Sequence, residues 1–183
     1  MRTLLFKSLF AEPVTTDAPS ASEAALAEVG AVLEVRARRL FGRSVSIREI
    51  DAGSCNGCEL EIHALNNAVY DIERFGMKFV ASPRHADVLL VTGPVTHNMK
   101  VALERTYAAT PDPKWVVAAG DCACGCGVFE GSYAVIGAIS KVVPVDLHIA
   151  GCPPKPIDLI KGLIALIDKA TTPSRLVAGR IRS

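Results

Sequence analysis

Six cysteines are the residues of this 183-residue chain best equipped for chemistry: Cys55, Cys58, Cys122, Cys124, Cys126 and Cys152. Disulfide frameworks belong mostly to small secreted chains that lack a sufficient core. Here half the residues are apolar, which is ample for a core, so metal or redox chemistry is the better reading. The spacing narrows it further. Cys55-Asn56-Gly57-Cys58 is a C-x2-C pair, whereas Cys122 and Cys152 lie 30 positions apart. Zinc sites usually pair two C-x2–4-C knuckles, and only the first pair clearly has that form. A [4Fe–4S] cluster takes four thiolates. Cys55, Cys58 and Cys152, with one cysteine of Cys122-Ala123-Cys124-Gly125-Cys126, would supply them. Spacing does not choose among Cys122, Cys124 and Cys126. The two left over are either small buried thiols or alternative, redox-switched ligands.

Residues so far apart need a scaffold that gathers them. Val45 and Ile47 alternate with Ser46 and Arg48, as in a strand that Ile50 closes. Ile62, Leu65, Val69 and Ile72 make a helical stripe ending before Gly76. A short strand is expected over Phe79 to Ala81, a buried one over Asp87 to Thr92, then a helix from His97 to Ala109. Trp115 to Ala119 and Val145 to Ala150 read as further strands, and Pro154 to Lys169 as a closing helix with prolines in its permitted first turn. Short apolar strands interleaved with helices imply a parallel sheet covered on both faces. The expected fold is therefore α/β, a flavodoxin-like open parallel sheet with helices on both faces, plus a helical N-terminal extension.

In that fold the cysteines converge. Each cysteine segment directly follows an expected strand, and loops after parallel strands gather at the carboxyl edge of the sheet, where ligands bind. Gly53, Gly57, Gly120, Gly125, Gly127 and Gly151 surround the cysteines and let the backbone turn close to a bulky inorganic core. Cys152 precedes Pro153-Pro154 and an expected helix start, whose N–H groups favour an anionic assembly.

Residues 1–43 read as an extension, 44–170 as the metal-bearing α/β domain and 171–183 as a tail. Leu4, Leu5, Leu9 and Phe10 form an apolar patch that is expected to pack against a membrane-embedded partner. Ser20-Ala21-Ser22-Glu23 has the form of a capping box opening a helix that Gly42 ends. Lys7 breaks the apolar run at the start, and no twin-arginine pair is present, which argues against export. Mean hydropathy is +0.30, yet no stretch approaches the roughly 18–20 apolar residues of a spanning helix. Surplus apolarity without a span implies surface buried against protein partners. Net charge is +1 with the basic residues spread along the chain, so no nucleic-acid partner is expected.

Several motifs occur in register: Ser54-Cys55-Asn56-Gly57-Cys58-Glu59, Glu73-Arg74-Phe75-Gly76, Ser82-Pro83-Arg84-His85-Ala86-Asp87, Pro111-Asp112-Pro113-Lys114 and Gly151-Cys152-Pro153-Pro154. Over about residues 45 to 170 the chain resembles the small subunit of membrane-bound [NiFe] hydrogenases of the formate-hydrogenlyase and energy-converting type. These are homologues of the complex I subunit that carries its terminal cluster. The resemblance implies one [4Fe–4S] cluster on Cys55, Cys58, Cys122 and Cys152, with Glu59, Arg74, Arg84 and His85 as neighbours of the cluster, interface groups, ordinary solvated charges or partners in core hydrogen bonds. It implies a large subunit holding a nickel–iron centre, a ferredoxin-like iron–sulfur subunit and membrane-embedded subunits, at the cytoplasmic face of the inner membrane. Complex I relatives have adjacent cysteines at the first motif, and the C-x2-C here favours the hydrogenase branch over a quinone-reducing module. A docking subunit with a purely structural metal site is the other alternative. After the third ligand the family usually continues with small or polar residues, whereas this chain has Cys124 and Cys126 there, with Asp121 before them.

Overall fold

The computed structural model describes residues 28–35 and 42–171. The capping box, the apolar patch at residues 4–10 and the tail beyond Thr171 lie outside them. Helical residues 28–35 (α1) are followed by β1 (Val45–Asp51), α2 (Gly57–Ala64), β2 (Met77–Phe79), β3 (Val88–Thr92) and β4 (Val95–Thr96). Then come α3 (Lys100–Ala109), β5 (Trp115–Ala119), α4 (Asp121–Gly125), β6 (Val135–Gly137), β7 (Leu147–Ile149) and α5 (Pro156–Thr171).

Five strands form one sheet in the order β2-β1-β3-β5-β7, every neighbouring pair parallel. Numbered among themselves, they run 2-1-3-4-5, the flavodoxin-like order. Two apolar clusters cover its faces. On one, Val45, Ile47, Leu90 and Val117 pack with Leu33 of α1, Ile62 of α2 and Leu159, Leu163 and Leu166 of α5. On the other, Leu89, Val91, Val116 and Ala118 pack with Leu103 of α3, Ala123 of α4 and Ile139. Successive residues of β3 thus face opposite cores, and all five are buried, which is why a continuous apolar run codes this strand. The α5 stripe repeats at helical spacing, and the helix approaches β7 so closely that a Cβ on Gly162 would fall 2.4 Å from Ile149 Cδ1.

The structure departs from the expected elements at four places. The stripe from Ile62 to Ile72 is not one helix: α2 stops at Ala64, and Asn67 Oδ1 accepts from the N–H groups of Val69 and Tyr70, both at 2.9 Å. That side-chain turn outcompetes the helix, and Val69 is left 60% exposed. β2 begins two residues earlier than expected, because Gly76 turns with φ 79° and delivers Met77 rather than Val80 to the core. The closing helix starts at Pro156, not Pro154. The antiparallel pair β4–β6 was missed, since two- and three-residue strands carry no readable period.

Candidate metal centre

Three of the five strands of the sheet end in a cysteine loop, all at the carboxyl edge. β1 leads to Cys55 and Cys58, β5 to Cys122 and β7 to Cys152. The first loop is shaped by Asp51, whose Oδ1 accepts from Gly53 and Ser54 N–H, each at 2.7 Å. Ser54 Oγ then accepts from Asn56 N–H at 3.0 Å, and Asn56 turns left-handed with φ 70° to open α2. Cys58 is the second residue of α2, and Cys122 the second of α4.

The other two loops are tied to each other. Asp121 N–H donates to Gly151 O at 2.9 Å, and Gly151 N–H donates back to Asp121 Oδ1 at 2.8 Å. Gly120 N–H extends the β5–β7 ladder by donating to Ile149 O at 2.8 Å. The result fixes Cys122 beside Cys152 although the strands that carry them are short. Sequence reasoning noted Asp121 only as a departure from the family and overlooked Asp51. An aspartate two residues ahead of a glycine, at the end of a strand, is the Asx-turn signal that marks Asp51.

Space is controlled by missing side chains. A Cβ on Gly120 would lie 2.7 Å from Cys58 Sγ, and one on Gly127 would lie 2.9 Å from Cys122 Sγ. Gly57 leaves the Pro153 ring at 3.9 Å from where its Cβ would be. The Cys58 sulfur therefore crosses to the β5–β7 side, against the turn that carries Cys122.

Electrostatics tell the same story. Burial pushes the Cys58 thiol up to about 12, and Glu59 followed by Cys55, Cys122 and Cys152 adds to it. Cys122 is raised by burial first, then by Cys152, Cys55 and Asp121, with the Val128 N–H acting against them. Cys124 is raised by burial and by Asp121 alone. Cys55, Cys122 and Cys152 thus act on Cys58, and Cys152 and Cys55 on Cys122, whereas none of them acts on Cys124. Cys126 is buried, with a left-handed φ of 69° at the end of α4.

Thiols whose ionisation is opposed by burial and by neighbouring cysteines, as at Cys58 and Cys122, suit a cationic metal core, which would replace their protons on binding. Among the described residues no group of three or more His, Cys, Asp or Glu is close enough to hold a single metal ion. A multi-iron core takes one thiolate per iron, and cysteines from three loops at one sheet edge are the donors it would use.

Glu59 stands at this site, 7% exposed, with Oε1 accepting from Thr92 Oγ1 and Oε2 without a hydrogen-bond partner. The other three charged candidates do not. Arg74 lies over the Phe75 ring at 4.6 Å in the turn before β2. Arg84 and His85 occupy the turn before β3, at the amino edge of the sheet. These three thus lie apart from the cysteine loops. Three large apolar side chains are left bare near the cysteine loops: Leu60, Val128 and Tyr133, the last two 85% and 96% exposed.

Comparison with known proteins gives a consistent picture. Residues 55–166 match the family described as NADH ubiquinone oxidoreductase, 20 kDa subunit. The chain is 41% identical over 143 residues to a "Probable membrane-bound hydrogenase subunit mbhJ" of Pyrococcus furiosus, covering 78% of this chain and 84% of the relative. It is 46% identical over 112 residues to an NADH-quinone oxidoreductase subunit of Citrifermentans bemidjiense, covering 61% and 65%. A chain in the structure of the membrane-bound sulfane sulfur reductase, an archaeal respiratory membrane complex, superposes with a TM-score of 0.65 at 34% identity, covering 78% of this chain and 77% of that one.

Proposed function

Because this chain belongs to the family of the 20 kDa subunit of NADH ubiquinone oxidoreductase, we propose that it carries one [4Fe–4S] cluster on Cys55, Cys58, Cys122 and Cys152 and relays electrons in a membrane-associated [NiFe] hydrogenase complex. The observation that supports this most is the gathering of those four cysteines in the loops after β1, β5 and β7, where Gly120 and Gly127 leave room beside the Cys58 and Cys122 sulfurs. When bound, such a cluster supplies a site that accepts one electron and passes it on. The chain's own residues hold and shield that site. Gly120 and Gly127 leave room for two sulfurs, the Asp121–Gly151 pair fixes the second and third loops, and Glu59 braces α2 against the end of β3 through Thr92.

Membership and relatives place the chain among subunits of membrane oxidoreductase complexes, while among the described residues no helix is long and apolar enough to cross a membrane. We read it as peripheral, on the cytoplasmic face, with a catalytic large subunit over Leu60, Val128 and Tyr133. A ferredoxin-like subunit would exchange electrons with the cluster, and membrane-embedded subunits would lie on the side of the N-terminal extension.

Iron and sulfide analysis of the purified complex tests the cofactor: about four irons should be lost with each single Cys→Ala change at the four positions. Hydrogen-dependent dye reduction tests the reaction. A second reading has its own support, since the sulfane sulfur reductase relative and the quinone-linked relative have other acceptors in their names. A cluster reduced by quinol or a sulfur donor but never by hydrogen would favour it, as would a large subunit without two C-x2-C nickel-binding pairs.

A further inference from the structure

The amino edge of the sheet carries a second constellation. A cavity of about 480 Å3 opens there. Arg43 reaches it from two residues before β1, Lys78 from β2, and Arg84 and His85 from the turn Pro83–His85. Its floor holds the buried carboxylate of Asp87, which accepts from Arg43 Nη1 and Nη2 at 3.0 and 2.6 Å and from Ser46 N–H at 2.9 Å. The acid of the lining is therefore already occupied. Lys78 and Arg84 are exposed and have no ion-pair partner among the described residues. Since the whole chain has a net charge of +1, this is a local concentration of positive charge.

We propose that this edge is a docking surface for an acidic segment of a partner subunit, separate from the cysteine loops by the length of a strand, about 16 Å for five residues. Small-molecule pockets are lined mainly by apolar side chains that bury most of the ligand, whereas this cavity is rimmed by exposed cations. A surface resting in lipid pairs its basic residues with exposed large apolar ones. Among the described residues, the exposed large hydrophobics, such as Leu60, Val69, Val101, Val128 and Tyr133, do not line the cavity. Carboxylates on a protein segment match it better: Arg84 offers a planar fork for bidentate pairing and Lys78 a mobile point charge. The inference rests on the chain being part of a multi-subunit complex and is independent of what the cysteines bind.

The test uses the intact membrane complex with Lys78→Glu and Arg84→Glu together. The variant should be lost from the complex at least about tenfold more than the wild type in a moderate-salt wash, because reversed charges repel the segment. The subunit that remains assembled should keep its full iron content, which separates this outcome from failure of the cluster reading. Retention equal to wild type would overturn the proposal. A photo-crosslinking residue at Lys78 in the otherwise native complex guards against misfolding of the double variant. Crosslinks should map to an Asp- or Glu-bearing segment of another subunit, and replacing those acids by Lys should restore retention of the charge-reversed chain. Crosslinks to lipid alone, or to no subunit, would sink the idea.

Discussion

At the carboxyl edge of the sheet, the backbone is bent by glycines with positive φ, the loops are bonded to one another, and sulfurs sit where an added methyl would collide with them. At the amino edge, long cationic side chains stand on flexible stems over a single buried carboxylate. The same five strands serve both ends, so the difference lies in the loops. A site that must hold a rigid inorganic object needs position, and position is set by backbone and by absent atoms. A surface that must meet an acidic partner needs sign of charge, and tolerates wide variation in where that charge is carried.

The sharpest break of this contrast comes from the ligands. Each of Cys55→Ala, Cys58→Ala, Cys122→Ala and Cys152→Ala should remove most of the bound iron and destabilise the subunit, because cluster binding is coupled to folding. Full occupancy in Cys122→Ala, read by iron analysis and electron paramagnetic resonance, would hand the third position to Cys124 or Cys126. Next in size is a single methyl. Gly120→Ala combines φ 96° with a 2.7 Å approach to Cys58 Sγ, and should cost roughly 1–3 kcal/mol along with part of the iron. Gly125→Ala meets nothing within 4 Å and should stay within about 0.5 kcal/mol of the parent. Urea midpoints of the two variants in the assembled complex decide; equal midpoints would mean that space at the sulfurs is not limiting.

At the other edge, Asp87→Ala strips Ser46 N–H and Arg43 of their acceptor and should lower stability by about 1–3 kcal/mol with the cluster spectrum unchanged. A changed spectrum would show that the two edges are coupled. Asp121→Ala should cost less, about 0.5–1.5 kcal/mol, because the bond it loses is exposed; a shifted cluster potential would mark the loosened Cys152 loop. Smallest of all, Cys124→Ser and Cys126→Ser should keep the iron and move the potential only slightly. Loss of iron from either would falsify their assignment as spare thiols.

The same contrast governs what was legible beforehand. Val88–Thr92 and Trp115–Ala119 were readable as buried strands because both faces of the sheet are covered, and the convergence of the cysteine loops followed from parallel topology. Spacing could not separate Cys122 from Cys124 and Cys126, since all three lie in one turn and only their placement in and after α4 turns them apart. Val69 kept the helical period by coincidence while Asn67 ended the helix. Arg84 and His85 looked like companions of the cysteines because motifs are read along the chain. The basic cavity went unseen because Arg43, Lys78 and Arg84 are 35 and 6 positions apart and meet only when β1, β2 and β3 align.

β7 has a consequence for the order of events in the making of this protein. It is the last strand of the sheet to be synthesised, three residues long, at the margin of the sheet, and it brings in Cys152. A nascent chain that has completed β1 and β5 offers at most three of the four sulfurs, and holds the Cys122 turn without its partner at Gly151. The site closes only after β7 has docked and α5 has folded down over it. Under the proposed ligation, loading of the cluster would be a late step that meets a finished domain and not an emerging one.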